Sequence, residues 1–255
     1  VREVPGPHPI LRRWQTDLIA RWSNHVVVNS EYVRTAFPRH VPIAMLHNAL
    51  ELERYKIQED TVYARVRSEF HLSQSAPVVG MIGSVQAAKG HYLLVEAARE
   101  IVSKIPEIRF LIVAGGMDQT YINSWKGRVK HLIGWPMDNL DRMRRMISGL
   151  GLEKHFVFTG FRKNIEELLM AMDILAFIPQ AAEGFGRPII EAMAAGCPVV
   201  ATDIGPSREV LGYDAGLLIP CGDSRALSQA IADLLDDEDR RHSMGTIGRK
   251  RADQF

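Results

Sequence analysis

Glu183-Gly184-Phe185-Gly186-Arg187-Pro188-Ile189-Ile190-Glu191-Ala192-Met193-Ala194-Ala195-Gly196-Cys197-Pro198-Val199-Val200 is the stretch that decides the fold, because it reads as a loop, a helix and a strand in direct succession. Glycines at 184 and 186 let the backbone come close to a ligand, Pro188 suits the first helical position, and Gly196 followed by Pro198 stops the helix. The helix is therefore expected to start just after Gly186. Such a start offers unpaired amides and the positive end of a helix dipole, so the amides of Phe185, Gly186, Arg187 and Ile189 are candidates to hold a diphosphate. Pro188 has no amide to give. Glu191, one turn in, is expected to point back toward that place, where a carboxylate can accept hydrogen bonds from two ribose hydroxyls; Glu183, ahead of the glycines, can do the same for a sugar. Taken alone, two carboxylates at this spacing read equally well as surface acids flanking an ordinary helix.

The same alternation of apolar runs and helical patterns extends in both directions. Val78 to Ile82, Phe110 to Val113, Val157 to Thr159, Ile174 to Phe177 and Val199 to Ala201 read as buried strands. Between them Leu94, Ala97, Ala98 and Ile101, and later Leu227, Ala230, Ile231, Leu234 and Leu235, follow helix spacing. The pattern predicts an α/β fold, a Rossmann-like parallel sheet with helices on both faces. Upstream, a helix from Leu11 to Trp22, an apolar run at 25–29, a capping serine at Ser30 and a second run at 41–46 read as the last elements of another, partial Rossmann-like domain. The chain divides accordingly into 1–50, the end of an upstream domain; 51–75, a connector and leading helix; 76–236, the main domain; and 237–255, a C-terminal helix. Residues 115–150 are long for a crossover and carry Lys126, Arg128, Lys130, Arg142, Arg144 and Arg145, which reach either an anionic partner or, more economically, solvent.

Composition narrows the class without naming a chemistry. The chain has 255 residues, 46% of them hydrophobic and 24% charged, with a formal net charge of +1, so no bulk field argues for nucleic acid. Any phosphate recognition must be local. The two cysteines, Cys197 and Cys221, sit at no metal-ligand or disulfide spacing, which fits a reducing compartment, the cytoplasm. No apolar run approaches the roughly 20 residues that span a bilayer, and no secretion signal is visible. Val1 to Gly6 reads like the middle of a protein, and the chain is expected to be a piece of a longer one. A nicotinamide site, prompted by Gly80 and Gly83, lacks the third glycine and the acid that would close it.

The stretch from Glu183 to Glu191 resembles the Glu-x7-Glu motif of retaining glycosyltransferases of the GT-B fold, commonly called family 4. Phe156-Val157-Phe158-Thr159-Gly160-Phe161, Ala171-Met172-Asp173-Ile174, Ala201 to Val210 and Gly216 to Pro220 are similar to further ordered landmarks of that family. The resemblance runs from Ser30 to the end. It implies the C-terminal donor-binding domain of a hexosyltransferase, moving a sugar from a UDP-, GDP- or ADP-linked donor to a glycan or lipid-linked acceptor, with peripheral contact to a membrane. No metal or cofactor is implied, and Asp237-Glu238-Asp239 reads as solvated surface. The resemblance implies roles residue by residue: Glu183 and Lys89 as catalytic, with Gly83, Ser84, Lys89, Phe161, Arg162, Glu183, Gly184, Phe185, Gly186, Arg187 and Glu191 around the donor. Where the family has two cations in the Gly83-Ser84-Val85-Gln86-Ala87-Ala88-Lys89-Gly90 loop, this chain keeps Lys89 and has Ser84. Losing one charge-assisted bond costs about 1.5–3 kcal/mol, or ten- to a hundredfold in donor binding. Arg187 is the residue expected to compensate. His91 reads as a loop or helix-start residue, and His8 and His47 are set aside. This chain alone is expected to bind nucleotide but to transfer sugar poorly; alternatives are an inactive nucleotide-sugar-binding module or a GT-B epimerase.

Overall fold

The computed structural model describes residues 9–56, 59–114 and 139–255. His8, Lys126, Arg128 and Lys130 lie outside the described residues. A small N-terminal unit comes first: helix α1 (Pro9–Trp22), strand β1 (Val26–Val28), the short helix α2 (Glu31–Arg34) and strand β2 (Ile43–Met45). β1 and β2 pair in parallel, Val26 opposite Ile43, over a core of Val26, Val28, Val33 and Phe37. Ser30 caps α2 as the sequence suggests, its hydroxyl accepting the Val33 amide at 3.1 Å.

The larger unit is a six-stranded sheet with helices on both faces. Its strands are β3 (Val78–Ile82), β4 (Arg109–Val113), β5 (Phe156–Phe158), β6 (Ile174–Phe177), β7 (Val199–Thr202) and β8 (Gly216–Ile219). All pairings are parallel, in the order β5-β4-β3-β6-β7-β8. Side chains alternate between two cores as a two-residue period requires: Leu111, Val113, Leu175, Phe177, Val199 and Ala201 pack on one face, and Phe110, Ile112, Ile174, Ala176 and Val200 on the other. The first face is covered by α3 (Glu59–Glu69), α6 (Ile165–Met170), α7 (Arg187–Ala195) and α8 (Ser207–Leu211); the second by α4 (His91–Lys104), α5 (Asn139–Gly149) and α9 (Ser224–Asp236). Tyr55, Val62, Val66 and Leu72 lie in the first core, so these described residues of the connector and leading helix pack onto the sheet.

The last helix, α10 (Glu238–Ala252), lies against α7. Glycine makes that approach possible, since a Cβ at Gly245 would run into the Gly196 carbonyl. Arg249 donates to the Ala195 carbonyl and Arg251 to those of Glu209 and Val210, placing cations on the C-terminal ends of α7 and α8. Asp237 accepts the Arg240 amide at 2.9 Å as an N-cap, which is what the Asp237-Glu238-Asp239 run does here. Two expectations shift. Pro188 takes the second position of α7, not the first, because Arg187 opens the helix. β8 was absent from the apolar runs read as strands, and its edge position explains why: Leu217 and Leu218 are only half-buried.

Candidate functional site

Strand order locates the site. From β3 the chain winds outward through β4 and β5, then returns to β6 beside β3 and winds the other way through β7 and β8. Loops leaving β3 and β6 at their carboxyl ends diverge there and leave a crevice, where ligands of open α/β sheets bind.

The first wall is the loop after β3. Gly83, at φ 133, donates its amide to the Val113 carbonyl at 3.0 Å and turns the chain out of the sheet. Ser84 accepts the Gln86 side-chain amide at 2.9 Å. A 3-10 turn, Ala87–Lys89, ends at Gly90, whose left-handed φ of 88 and contact with the Ile178 carbonyl leave no room for a Cβ. The Gln180 amide binds the Ala88 carbonyl at 2.7 Å, stitching this wall to the chain that follows β6.

The second wall runs from Ile178 to Gly186. Thr202 donates to the Pro179 carbonyl at 2.9 Å, and Gly205 (φ 59) backs the loop so closely that a Cβ would lie 3.2 Å from the Glu183 carbonyl. From this support Glu183 meets Lys89, Oε1 to Nζ 2.5 Å, both side chains partly buried. One carboxylate and one lysine from separate stretches thus stand on opposite walls of one crevice. Gly186, at φ 84, is the N-cap of α7; Gly184 has no left-handed φ and is held instead by Ser30, whose hydroxyl donates to the Gly184 carbonyl at 2.6 Å. Phe185 is buried. The Ile189 amide is bonded to the Gly186 carbonyl at 2.9 Å, which removes it from the expected anion cradle. Among the described residues no acceptor takes the amides of Phe185, Gly186 or Arg187.

Glu191 sits one turn into α7, 8% exposed, with Arg187 Nε 2.8 Å from its Oε1. Burial pushes its carboxyl above the usual range, an effect that Arg187 opposes. Arg187 is therefore engaged by Glu191 on its own helix, with its side chain still 64% exposed. Tyr55 packs nearby, its phenol pushed well up by burial and by the charge of Glu191. Phe161 is exposed beyond β5, while Arg162 is drawn away to α3, pairing with Glu69 at 2.6 Å and lying 5.0 Å over the Phe70 ring. The basic residues Arg142 and Arg144 of α5 lie over the rings of Tyr92 and Phe158.

Three residues had been given little weight. His91 is fully buried under the first wall; its ring nitrogens approach the backbone of Gly83 and Gln86 without completing a hydrogen bond, and burial lowers its pKa to about 4. His47 lies tilted at 5.8 Å from the Phe185 ring and edge-on at 5.2 Å to Phe255. Asp173 turns out to be a structural clasp: one carboxylate oxygen accepts the Val78 amide at 2.7 Å and buried Arg67 at 3.0 Å. Among the described residues no group of three His, Cys, Asp or Glu is placed to hold a metal, and no helix is long and apolar enough to cross a membrane.

A doubly wound sheet whose switch point carries a lysine, a carboxylate and a helix N-terminus defines an open Rossmann-like α/β domain. The chain belongs to the glycosyl transferases group 1, whose family model matches residues 64–251. A D-inositol 3-phosphate glycosyltransferase of Corynebacterium urealyticum is 27% identical over 218 residues, covering 84% of this chain and 47% of that protein. The lipopolysaccharide core biosynthesis mannosyltransferase LpsB of Rhizobium meliloti is 27% identical over 241 residues, 93% of this chain and 62% of that protein. Anabaena HepE, solved in complex with UDP and glucose, superposes with a TM-score of 0.84 at 25% identity, covering all of this chain and 66% of that one. The chain thus spans about half to two thirds of the length of these relatives, and the sheet with its flanking helices is the GT-B glycosyltransferase arrangement.

Proposed function

We propose that this chain supplies the donor site of a retaining glycosyltransferase of family 4, a hexosyltransferase that moves a sugar from a nucleoside diphosphate to an acceptor hydroxyl. The observation that carries the reading is the meeting of Lys89 and Glu183 across the switch point, beside the free end of α7. In this reading Lys89 and the amides of Phe185 and Gly186 hold the diphosphate, Glu183 contacts the sugar, and Glu191 binds the ribose hydroxyls. Gly83 and Ser84 line the first wall, and the backbone at Phe161 and Arg162 borders the base. During transfer the bond from the anomeric carbon to the diphosphate oxygen breaks and a bond to the acceptor oxygen forms on the same face. The acceptor's proton passes to the departing diphosphate, whose growing charge Lys89 and the helix amides stabilise, so the reading requires no metal. The acceptor, a glycan or lipid-linked hydroxyl, is met largely by residues outside this chain, with the enzyme acting in the cytoplasm or at a membrane face.

UDP-glucose is the first donor to try, because HepE was solved with UDP and glucose. Binding rather than turnover is the readout for a chain that spans part of its relatives. Titration calorimetry with UDP-, GDP- and ADP-sugars should find one that binds, and Lys89→Ala should weaken it about ten- to a hundredfold, the worth of one charge-assisted hydrogen bond. Binding untouched by Lys89→Ala would refute the assignment.

A further inference from the structure

Ser30 belongs to the N-terminal unit, yet it is fully buried against the second wall of the crevice in the larger one. Its single hydroxyl works in two directions. The oxygen accepts the Val33 amide at 3.1 Å, fixing the start of α2, and the proton goes to the Gly184 carbonyl at 2.6 Å. A hydroxyl has one proton and two lone pairs, so this arrangement uses the donor once and leaves no competition between the two bonds. Gly184 follows Glu183 directly, and the short contact between Ser30 and its carbonyl fixes the peptide that joins Gly184 to Phe185.

Neighbouring contacts converge on the same joint. The ring of Phe185 packs at 5.8 Å from His47 and edge-on at 5.6 Å to Phe255, and His47 in turn meets the Asn29 carbonyl through Nδ1 at 3.2 Å. At the same end of α2, the Glu209 carboxylate accepts the amides of Glu31 and Tyr32 at 2.9 and 3.3 Å. Short helix α2 is thus pinned at one end by both the loop after β6 and helix α8. Ser30, His47 and Phe255, from separate parts of the chain, thus meet the Gly184–Phe185 pair.

We infer that Ser30 is a positioning residue for the crevice: by binding the Gly184 carbonyl it holds the loop from Glu183 to Gly186 in the shape that sets Glu183 against Lys89. The inference rests on the donor-site reading for its functional consequence, but the loop clamp is testable without any ligand. Removing the hydroxyl frees the carbonyl, and the backbone of a loop with two glycines regains rotational freedom there. Glu183 then loses its fixed distance to Lys89, and a nucleotide-sugar meets a site that must be ordered before it binds.

Ser30→Gly is the informative variant, because glycine keeps nearly all of the N-cap's worth while deleting the hydroxyl, and Ser30→Thr restores it. Hydrogen exchange of the Gln180 and Ile189 amides, whose bonds to the Ala88 and Gly186 carbonyls bracket the loop, measured without nucleotide, should accelerate about tenfold in Ser30→Gly and return toward the parent rate in Ser30→Thr. Affinity for UDP-glucose should fall about tenfold in the glycine variant and recover in Ser30→Thr, beyond the fall of a few degrees in melting temperature that the lost buried hydrogen bond gives on its own. Unchanged exchange in Ser30→Gly overturns the clamp, whatever binds. If exchange accelerates but affinity for a donor that the parent chain binds does not fall, the positioning role is overturned. A parent chain that binds no nucleotide-sugar would overturn the donor reading, and with it the functional half of this inference, while the exchange rates still decide the clamp.

Discussion

Asp173→Ala should destabilise the fold by about 3 kcal/mol, and the estimate follows from the groups its loss would strand. Arg67 is 1% exposed and has one charged partner, Asp173, with Nη2 3.0 Å from Oδ2. Its other terminal nitrogen donates to the carbonyls of Ser73, Gln74 and Ala76 at 2.9, 3.3 and 2.6 Å. Removing the carboxylate leaves a buried guanidinium without a counter-charge, which costs about 3–5 kcal/mol, and strands the Val78 amide for about 1 kcal/mol more. Two facts pull the sum down: the three carbonyls still hold the guanidinium, and Asp173 is 28% exposed, so water can replace part of what it gave. At about 2–4 °C per kcal/mol for a domain of this size, the melting temperature should fall by about 6–12 °C. Calorimetry measures it directly. An Arg67→Met/Asp173→Ala double variant should recover several degrees, since the stranded charge is gone and a long apolar chain fills its place. A fall of less than about 2 °C, or a double variant worse than the single one, would refute the argument that an uncompensated charge sets the cost.

Three further outcomes concern the crevice. Glu183→Gln should raise affinity for UDP several-fold, by removing a carboxylate 2.5 Å from the cation meant for the diphosphate, while lowering affinity for UDP-glucose; titration of both ligands decides, and equal changes count against a sugar contact. His91, with a folded pKa of about 4 against 6.5 for the free group, binds its proton more readily in the unfolded chain. Its contribution to stability is therefore full above pH 6.5 and is lost as pH falls toward 4, about 3 kcal/mol at most; His91→Phe should flatten the stability curve in that window, as urea unfolding at several pH values would show. Glu191→Gln should leave the melting temperature at pH 7 unchanged or higher, because burial already disfavours the carboxylate, yet weaken nucleotide-sugar binding about tenfold.

The local grammar of the decisive stretch was legible because short-range rules govern it. Gly186 and Gly196 both adopt the left-handed conformation that made them readable as helix boundaries, and the buried strands β3 and β6 coincide with apolar runs that no polar residue interrupts. What escaped was anything decided across the chain. Ser30 looks like a helix cap from its own neighbourhood and is one; nothing near it announces Gly184, 154 residues away. The contacts of His47 with Phe185 and Phe255, and of Asp173 with Arg67 and Val78, are likewise made with residues far along the chain. The engagement of Arg187 by Glu191 was within reach, since the two are four apart on one helix and such pairs face each other. The loss of the Ile189 amide follows from the tight first turn behind a left-handed cap, which a sequence does not specify.

Burial of Glu191 makes the strongest physical case that the crevice is used. A carboxylate at 8% exposure gives up hydration that its one exposed partner, Arg187, restores only in part, and its raised pKa is the measure of that shortfall. A fold under selection for stability alone would place glutamine or leucine there. Beside it, His91 keeps two ring nitrogens unpaired beneath the first wall, and Gly83, Gly90, Gly186 and Gly205 hold left-handed turns around the same opening. Each feature costs folding free energy, and they gather at the carboxyl ends of β3, β6 and β7, where the topology had already placed a crevice. Strain and unpaired polar groups concentrated where two loops diverge are what a site looks like when its partner is a ligand.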